Sequence, residues 1–188
     1  WLASTGRDRT IILWDIRKRQ KVRVFEGHDG PVLALAFSPD GAWLVSGGKG
    51  GQIKRWDVVG GGEIDGLTSH RGQPVSALAV SPDGRWFASS SDSEQVRLWN
   101  AETGQPKQLL AESSGFSAVL AFSPDSQQVL AAGSRQAVQS WDLLSAEAGR
   151  ELVRHGEEIH AMTLFSDQRT LATAGKDKVI RIWRADSK

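Results

Sequence analysis

The sequence predicts an all-β protein made from one repeated unit, and three observations predict it. Tryptophans recur at near-equal intervals: Trp14, Trp56, Trp99, Trp141 and Trp183 are separated by 42, 43, 42 and 42 residues, and a fixed period of this length marks a repeat architecture. Each of these tryptophans ends a short stretch in which apolar and polar residues alternate, the period-2 pattern of a half-buried strand. Turn tetrads return in phase with them, as Ser38-Pro39-Asp40-Gly41, Ser81-Pro82-Asp83-Gly84 and Ser123-Pro124-Asp125-Ser126. No window carries a helical stripe.

Each unit reads as four strands. The first is Val32 to Phe37, Val75 to Val80, Ser117 to Phe122 and Ile159 to Leu164. The tetrad that follows has β-turn chemistry: Pro presets φ, Asp bonds its own backbone, and Gly takes a positive φ. The last copy, Ser166-Asp167-Gln168, has lost Pro and Gly. The second strand is Trp43 to Ser46, Trp86 to Ser89, Val129 to Ala132 and Leu171 to Thr173. A tight Gly/polar turn leads to the third strand, clearest in Ile53-Lys54-Arg55-Trp56, Val96-Arg97-Leu98-Trp99 and Ile180-Arg181-Ile182-Trp183. A weaker fourth strand closes the unit, as in Val22 to Phe25 or Gln108 to Leu110. Short strands with turn signals at this spacing argue for an all-β fold.

Composition narrows the function classes. The 188 residues carry 39% hydrophobic and 24% charged residues, ordinary for a globular chain. The formal net charge of +1 gives no reason to expect attraction to nucleic acid or an anionic membrane. Zero cysteines exclude disulfides, cysteine nucleophiles and thiolate metal sites. No apolar run approaches the ~18 residues of a membrane-spanning helix, and no basic-then-apolar leader opens the chain. The cytoplasm is the expected compartment.

The Gly27-His28 pair, the Ser-Pro-Asp-Gly turns and the terminal Trp56-Asp57 together resemble the WD-repeat (WD40) family of β-propellers, over essentially the whole chain. The resemblance implies four-stranded antiparallel blades around a channel, with strands a to d running outward. The chain is then a propeller segment. A partial blade occupies residues 1–26, three full four-stranded blades occupy 27–68, 69–111 and 112–153, and a partial blade occupies 154–188. Both partial blades carry strands b and c, so they cannot merge into one blade. A segment of a longer propeller is therefore expected, with self-association if it stands alone.

The resemblance also implies a buried network in each blade, linking a His before strand a, a Ser or Thr in strand b, an Asp in the b–c turn and the strand-c Trp. The fifth blade has all four: His155, Thr173, Asp177 and Trp183. The first keeps Ser4, Asp8 and Trp14. The second has His28, Ser46 and Trp56 with Gly50 at the Asp position, and the third has His70, Ser89 and Trp99 with Ser93 there and Asp92 one residue off. The fourth retains only Trp141; Ala131 and Arg135 stand at the Ser and Asp positions. A tryptophan buries about 150–250 Å², roughly 4–6 kcal/mol gross. Tryptophan packing should therefore outweigh the polar network.

No catalytic constellation, metal site or cofactor is predicted. His155-Gly156-Glu157-Glu158-Ile159-His160 is not in zinc-protease order, and Gly47-Gly48-Lys49-Gly50-Gly51 lacks phosphate-loop spacing and reads as a flexible b–c hairpin. No GxSxG elbow is present. Arg7, Lys49, Asp92, Ser134 and Lys176 stand one residue before the network Asp position, which the resemblance puts on the face where many relatives bind peptides. Arg71 joins them from a d–a loop, as do the acidic Asp29, Glu157 and Glu158; Arg135 lies beside Ser134. His160 belongs at the channel mouth, with Leu33, Ser76 and Ala118 as repeat equivalents. The bland reading is solvated turn residues. The functional reading is a peptide-binding face of Arg7, Lys49, Arg71, Arg135, Lys176 and His160 that takes acidic or phosphorylated segments. The expected function is a non-enzymatic scaffold for protein–protein interaction. The alternative is a sensor or regulatory region of a multidomain NTPase or protein kinase.

Overall fold

The computed structural model describes residues 1–68, 70, 72–91, 95–112, 117–145, 149–165, 167 and 169–184. These form five antiparallel sheets, each a simple meander. The first holds β1 (Leu2–Thr5), β2 (Ile11–Asp15) and β3 (Gln20–Phe25). The second holds β4 (Val32–Phe37), β5 (Trp43–Gly48), β6 (Gln52–Asp57) and β7 (Glu63–Thr68). The third holds β8 (Val75–Val80), β9 (Trp86–Ser91), β10 (Gln95–Asn100) and β11 (Pro106–Glu112). The fourth holds β12 (Ser117–Phe122), β13 (Gln128–Gly133), β14 (Ala137–Asp142) and β15 (Arg150–Arg154). The fifth holds β16 (Ile159–Leu164), β17 (Thr170–Gly175) and β18 (Ile180–Arg184). The expected all-β fold of three full and two partial blades is what forms. Among the described residues, no helix is long and apolar enough to cross a membrane.

The turns follow the predicted chemistry. Ser38 Oγ donates to Asp40 Oδ1 at 2.6 Å, and that oxygen also accepts the Ala42 amide at 3.0 Å. Gly41 and Gly84 both take φ 71°, and Ser126 takes φ 60° at the third copy of the position. In the last copy Asp167 still gathers the amides of Arg169 and Thr170, at 2.9 and 2.8 Å, without Pro or Gly.

One local reading needs correction. Gly47 and Gly48 are not loop; they are the last two residues of β5, paired with Ala34 and Val32. Close packing demands glycine there. A Cβ on Gly47 would lie 2.5 Å from Val75 of the next blade, and one on Gly48 would lie 2.8 Å from His28 Nδ1. The hairpin shrinks to Lys49–Gly51.

Blades are held by what lies between them. Side chains alternate across each sheet. In β6, Ile53 faces the following blade and Trp56 the preceding one, and every seam acquires its own apolar cluster. Ile11, Leu13 and Phe25 meet Val32, Leu44 and Trp56. Val45 and Ile53 meet Val75, Phe87 and Trp99. Val96, Leu98 and Leu110 meet Leu120, Val129 and Trp141. Leu130, Ala132 and Val138 meet Ile159 and Leu171. Arginines also stitch seams: Arg55, 5% exposed, binds Asp65 and donates to the carbonyls of Ala101 and Glu102 in the next blade. Arg23 likewise donates to the carbonyls of Val59 and Gly60, each at 3.1 Å.

The two outermost faces lack this cover. Ile180 is 73% exposed and Ile182 67%, whereas Ile53, Val96 and Val138, the counterparts of Ile180, are at 0%. At the other end Leu2 is 53% exposed. Trp14 and Trp183 are only half-buried, while Trp56, Trp99 and Trp141 are buried.

Candidate functional site

The network positions align by strand register. Ser4 pairs with Ile12, Ser46 with Lys54, Ser89 with Arg97, Ala131 with Gln139 and Thr173 with Arg181. The tryptophan two residues further along strand c reaches back to the strand-b hydroxyl. Trp14 Nε1 donates to Ser4 Oγ at 2.9 Å, Trp56 to Ser46 at 2.7 Å, Trp99 to Ser89 at 2.8 Å, and Trp183 to Thr173 at 2.8 Å. Histidine completes the pattern in three blades. His28 Nε2 lies 2.6 Å from Ser46 Oγ, His70 Nε2 2.8 Å from Ser89 Oγ, and His155 Nε2 2.5 Å from Thr173 Oγ1.

Among the described residues, a carboxylate meets the far ring nitrogen only in the fifth blade, with His155 Nδ1 3.2 Å from Asp177 Oδ2. Arg181 is an unforeseen member. Its Nη1 donates to Asp177 Oδ2 and lies 2.6 Å from His155 Nδ1. The hydrogen bond from Arg181 is the first cause holding the Asp177 carboxyl below its ordinary value. The sequence signal was available, because Lys54, Arg97 and Arg181 all stand two residues before a ruler tryptophan. Asp8 of the first blade bonds the Thr10 amide and hydroxyl, at 3.3 and 3.0 Å. Asp92 and Ser93 lie outside the described residues.

Among the described residues, the blade-2 and blade-3 histidines have no partner on Nδ1. Burial is the first cause that lowers His28 to about 4, with Lys54 adding to it and Glu63 and Asp29 opposing. Burial first and then Arg97 lower His70 to about 4. Both rings are therefore neutral at pH 7. We expect Asp177→Ala to lower the urea midpoint clearly, since it strips the carboxylate from a buried imidazole. Gly50→Ala should leave the midpoint unchanged, because a Cβ there meets nothing within 4 Å. Equal losses in the two variants would refute this asymmetry.

The b–c turns and d–a loops share one end of the blades. The Lys49 amide donates to Pro31 O at 2.8 Å, the Lys176 amide to Glu158 O at 2.8 Å, and the Val32 amide crosses to Gly6 O of the first blade at 3.2 Å. Arg7, Lys49 and Lys176 are exposed on this rim. Arg135 is half-buried, and its carbonyl accepts from Arg154 Nη1 at 3.3 Å. Arg71 lies outside the described residues. His155 is buried in its network while His160 is exposed with Nε2 3.5 Å from Glu158 Oε2, so the two do not converge on one point.

The inner strands add a regularity that sequence reading did not show. Pairing slips between Val32 and Ala34, Val75 and Ala77, Ser117 and Val119, and Ile159 and Ala161. Leu33, Ser76, Ala118 and His160 are thus bulge residues. A bulge bends its strand; here it recurs at the rim end of β4, β8, β12 and β16.

Comparison with known proteins agrees with this geometry. The profile of the "WD domain, G-beta repeat" family matches residues 19–57, 61–100 and 147–184, more than half of the chain. The Saccharomyces cerevisiae "Target of rapamycin complex subunit LST8" is 30% identical over 193 residues, taking in 98% of this chain and 63% of that protein. The human "WD repeat-containing protein 36" is 45% identical over 58 residues, 31% of this chain and 6% of that protein. The rice "Small ribosomal subunit protein RACK1y" is 38% identical over 60 residues, 32% of this chain and 18% of that protein. The chain therefore spans less than two thirds of each of these relatives. With five tryptophan-terminated sheets stacked in register and the matching repeat profile, the chain belongs to the WD-repeat family of β-propeller proteins.

Proposed function

We propose that this protein is a non-enzymatic interaction scaffold that holds other proteins on the rim of b–c turns and d–a loops, with an acidic or phosphorylated segment as the preferred ligand. The observation that carries the reading is the recurrence of an exposed basic residue, Arg7, Lys49 and Lys176, at the same rim position of three blades. Rigid strands position these loops, which is how recognition residues are commonly presented. Relatives named as a rapamycin-target complex subunit, a ribosomal subunit protein and a "GATOR2 complex protein" support assembly into complexes. Asp29 and Glu158 interrupt the basic rim, so the charge is patterned rather than a uniform field.

Charge reversal at Lys49 and Lys176 together is expected to weaken binding of an acidic peptide at least tenfold at low salt and to flatten the salt dependence. Titrations at several salt concentrations read both effects, and an unchanged affinity with an unchanged salt slope would remove the rim from consideration.

We further infer that additional blades seat on both outer faces of this segment in a longer propeller. The exposed Ile180 and Ile182 support this. So does a cleft of about 280 Å³ lined by Ser4, Asp8 and Ile12, the place where His155 sits against Thr173 and Asp177 in the fifth blade. Where these faces stay uncovered, pairing between copies of the chain is the expected consequence.

A further inference from the structure

The second blade has a network that lacks one member, and the position that would supply it, Gly50, has open space where a Cβ would stand. His28 is 6% exposed, and its Nδ1 has no hydrogen-bond partner among the described residues. The tautomer follows from its neighbours. Ser46 Oγ accepts the Trp56 Nε1 proton at 2.7 Å, so its own proton goes either to His28 Nε2 at 2.6 Å or to Lys54 O at 3.4 Å. The shorter contact makes Nε2 the acceptor and places the ring proton on Nδ1. A buried N–H donor without an acceptor is costly.

In the fifth blade the equivalent nitrogen meets the Asp177 carboxylate. In the second blade that position is Gly50, and nothing lies within 4 Å of where its Cβ would be. The exposed Lys49 stands beside it. Lys54, the counterpart of Arg181, is turned away to Glu63, with Nζ 2.7 Å from both carboxylate oxygens. Asp29, held by Gln52 Nε2 at 2.5 Å, is an acidic group near the ring. Two of the three hairpin residues Lys49–Gly51 are glycine, and their backbone freedom lets the turn adjust to admit a ligand.

We propose that the notch over His28 takes a carboxylate from a protein partner, an Asp or Glu side chain that accepts the Nδ1 proton and supplies in trans what Asp177 supplies within its own blade. The inference rests on the rim reading above and deepens it. The rim attracts an acidic segment through long-range charge; the notch selects one carboxylate by a directional, charge-assisted hydrogen bond. Asp29 makes simple attraction insufficient, so specificity comes from the orphan donor.

The test titrates ¹⁵N-labelled protein at pH 7 with a capped octapeptide of alternating Gly and Glu, and with the matched Gln peptide, following the His28 imidazole nitrogens by NMR. The Glu peptide is expected to shift the His28 Nδ1–H signal saturably, and the Gln peptide to leave it in place. Gly50→Asp should show the shifted signal without peptide and bind the Glu peptide at least tenfold more weakly. Gly30→Asp, which adds the same charge from the d–a loop, where a Cβ would meet the Lys49 side chain at 3.9 Å and not the Gly50 position, should weaken binding less than threefold. Absent binding, binding that leaves His28 unmoved, or equal weakening by Gly50→Asp and Gly30→Asp would overturn the proposal. If reversing Lys49 and Lys176 abolishes binding while Gly50→Asp has no effect, the notch fails and the rim reading stands. If Gly50→Asp abolishes binding and the reversal does nothing, the notch stands and the rim's long-range role fails.

Discussion

Ile53→Asp is expected to prevent cooperative folding, while Ile180→Asp leaves the urea midpoint of this 188-residue chain nearly unchanged. The two isoleucines hold the same register position in strand c, Ile53 paired with Gly47 and Ile180 with Ala174. Ile53 is at 0% exposure inside the cluster with Val75, Phe87 and Trp99, and Ile180 is 73% exposed. A carboxylate at the first place loses its water and finds no partner, which costs several kcal/mol or more. At the second it stays hydrated, and exposed substitutions usually remain within about 0.5 kcal/mol. Tryptophan fluorescence during urea unfolding reads both. Similar midpoints would contradict the assignment of buried and open faces. In a chain long enough to place another blade over β18, Ile180→Asp becomes as harmful as Ile53→Asp. In this chain the same substitution should abolish any concentration-dependent association seen by sedimentation.

Acid is expected to weaken the fold well above the pH at which ordinary carboxylates titrate. His28 and His70 are each lowered to about 4 by burial, from an ordinary 6.5. Between those values the unfolded chain binds a proton on each ring and the folded chain does not. Stability is therefore intact above about pH 6.5 and declines as pH falls toward 4. The slope is about 1.4 kcal/mol per pH unit for each histidine, and the full shift amounts to roughly 3 kcal/mol per ring. Charges around the rings modulate this: Lys54 reinforces the shift at His28 while Glu63 and Asp29 oppose it, and Arg97 reinforces it at His70. Asp177 adds a separate loss at lower pH, because its carboxyl is held below the ordinary range and must be protonated there. Urea midpoints at pH 7, 6, 5 and 4.5 measure the profile. Replacing His28 by Gln should remove about half of the slope between pH 6.5 and 4.5, and a flat profile in the parent chain would show that the rings are not buried neutral.

Much of this was legible from spacing. The tryptophan interval located strand c in every blade, and the Ser-Pro-Asp tetrads located the a–b turns. The resemblance to the WD-repeat family, carried onto the aligned repeats, then implied that His155, Thr173, Asp177 and Trp183 meet in one network. Local chemistry suffices for such features, because a turn, a strand period and a hydroxyl ten residues before an indole depend on few neighbours. What escaped were groups whose role is set across a seam. Arg55 was legible only as part of the strand Ile53 to Trp56, and it donates to the carbonyls of Ala101 and Glu102 one blade on. Gly47 and Gly48 read as hairpin because glycine is a poor strand former; Val75 and His28 are what require them in β5.

The order of strands and the blade repeat were determined by the amino-acid sequence alone, since each follows from a period or a motif within some 42 residues, and the His, Ser/Thr, Asp and Trp network positions were implied by the family resemblance those motifs carry. Which faces are buried, which arginines bridge, that Arg181 joins Asp177, and that His28 retains a donor without an acceptor were decided only by the tertiary structure. The Arg181 and His28 environments depend on how side chains of one blade turn toward each other, and buried faces and bridging arginines on what the neighbouring blade places opposite a side chain. Identical positions such as Ile53 and Ile180 acquire opposite environments for that reason.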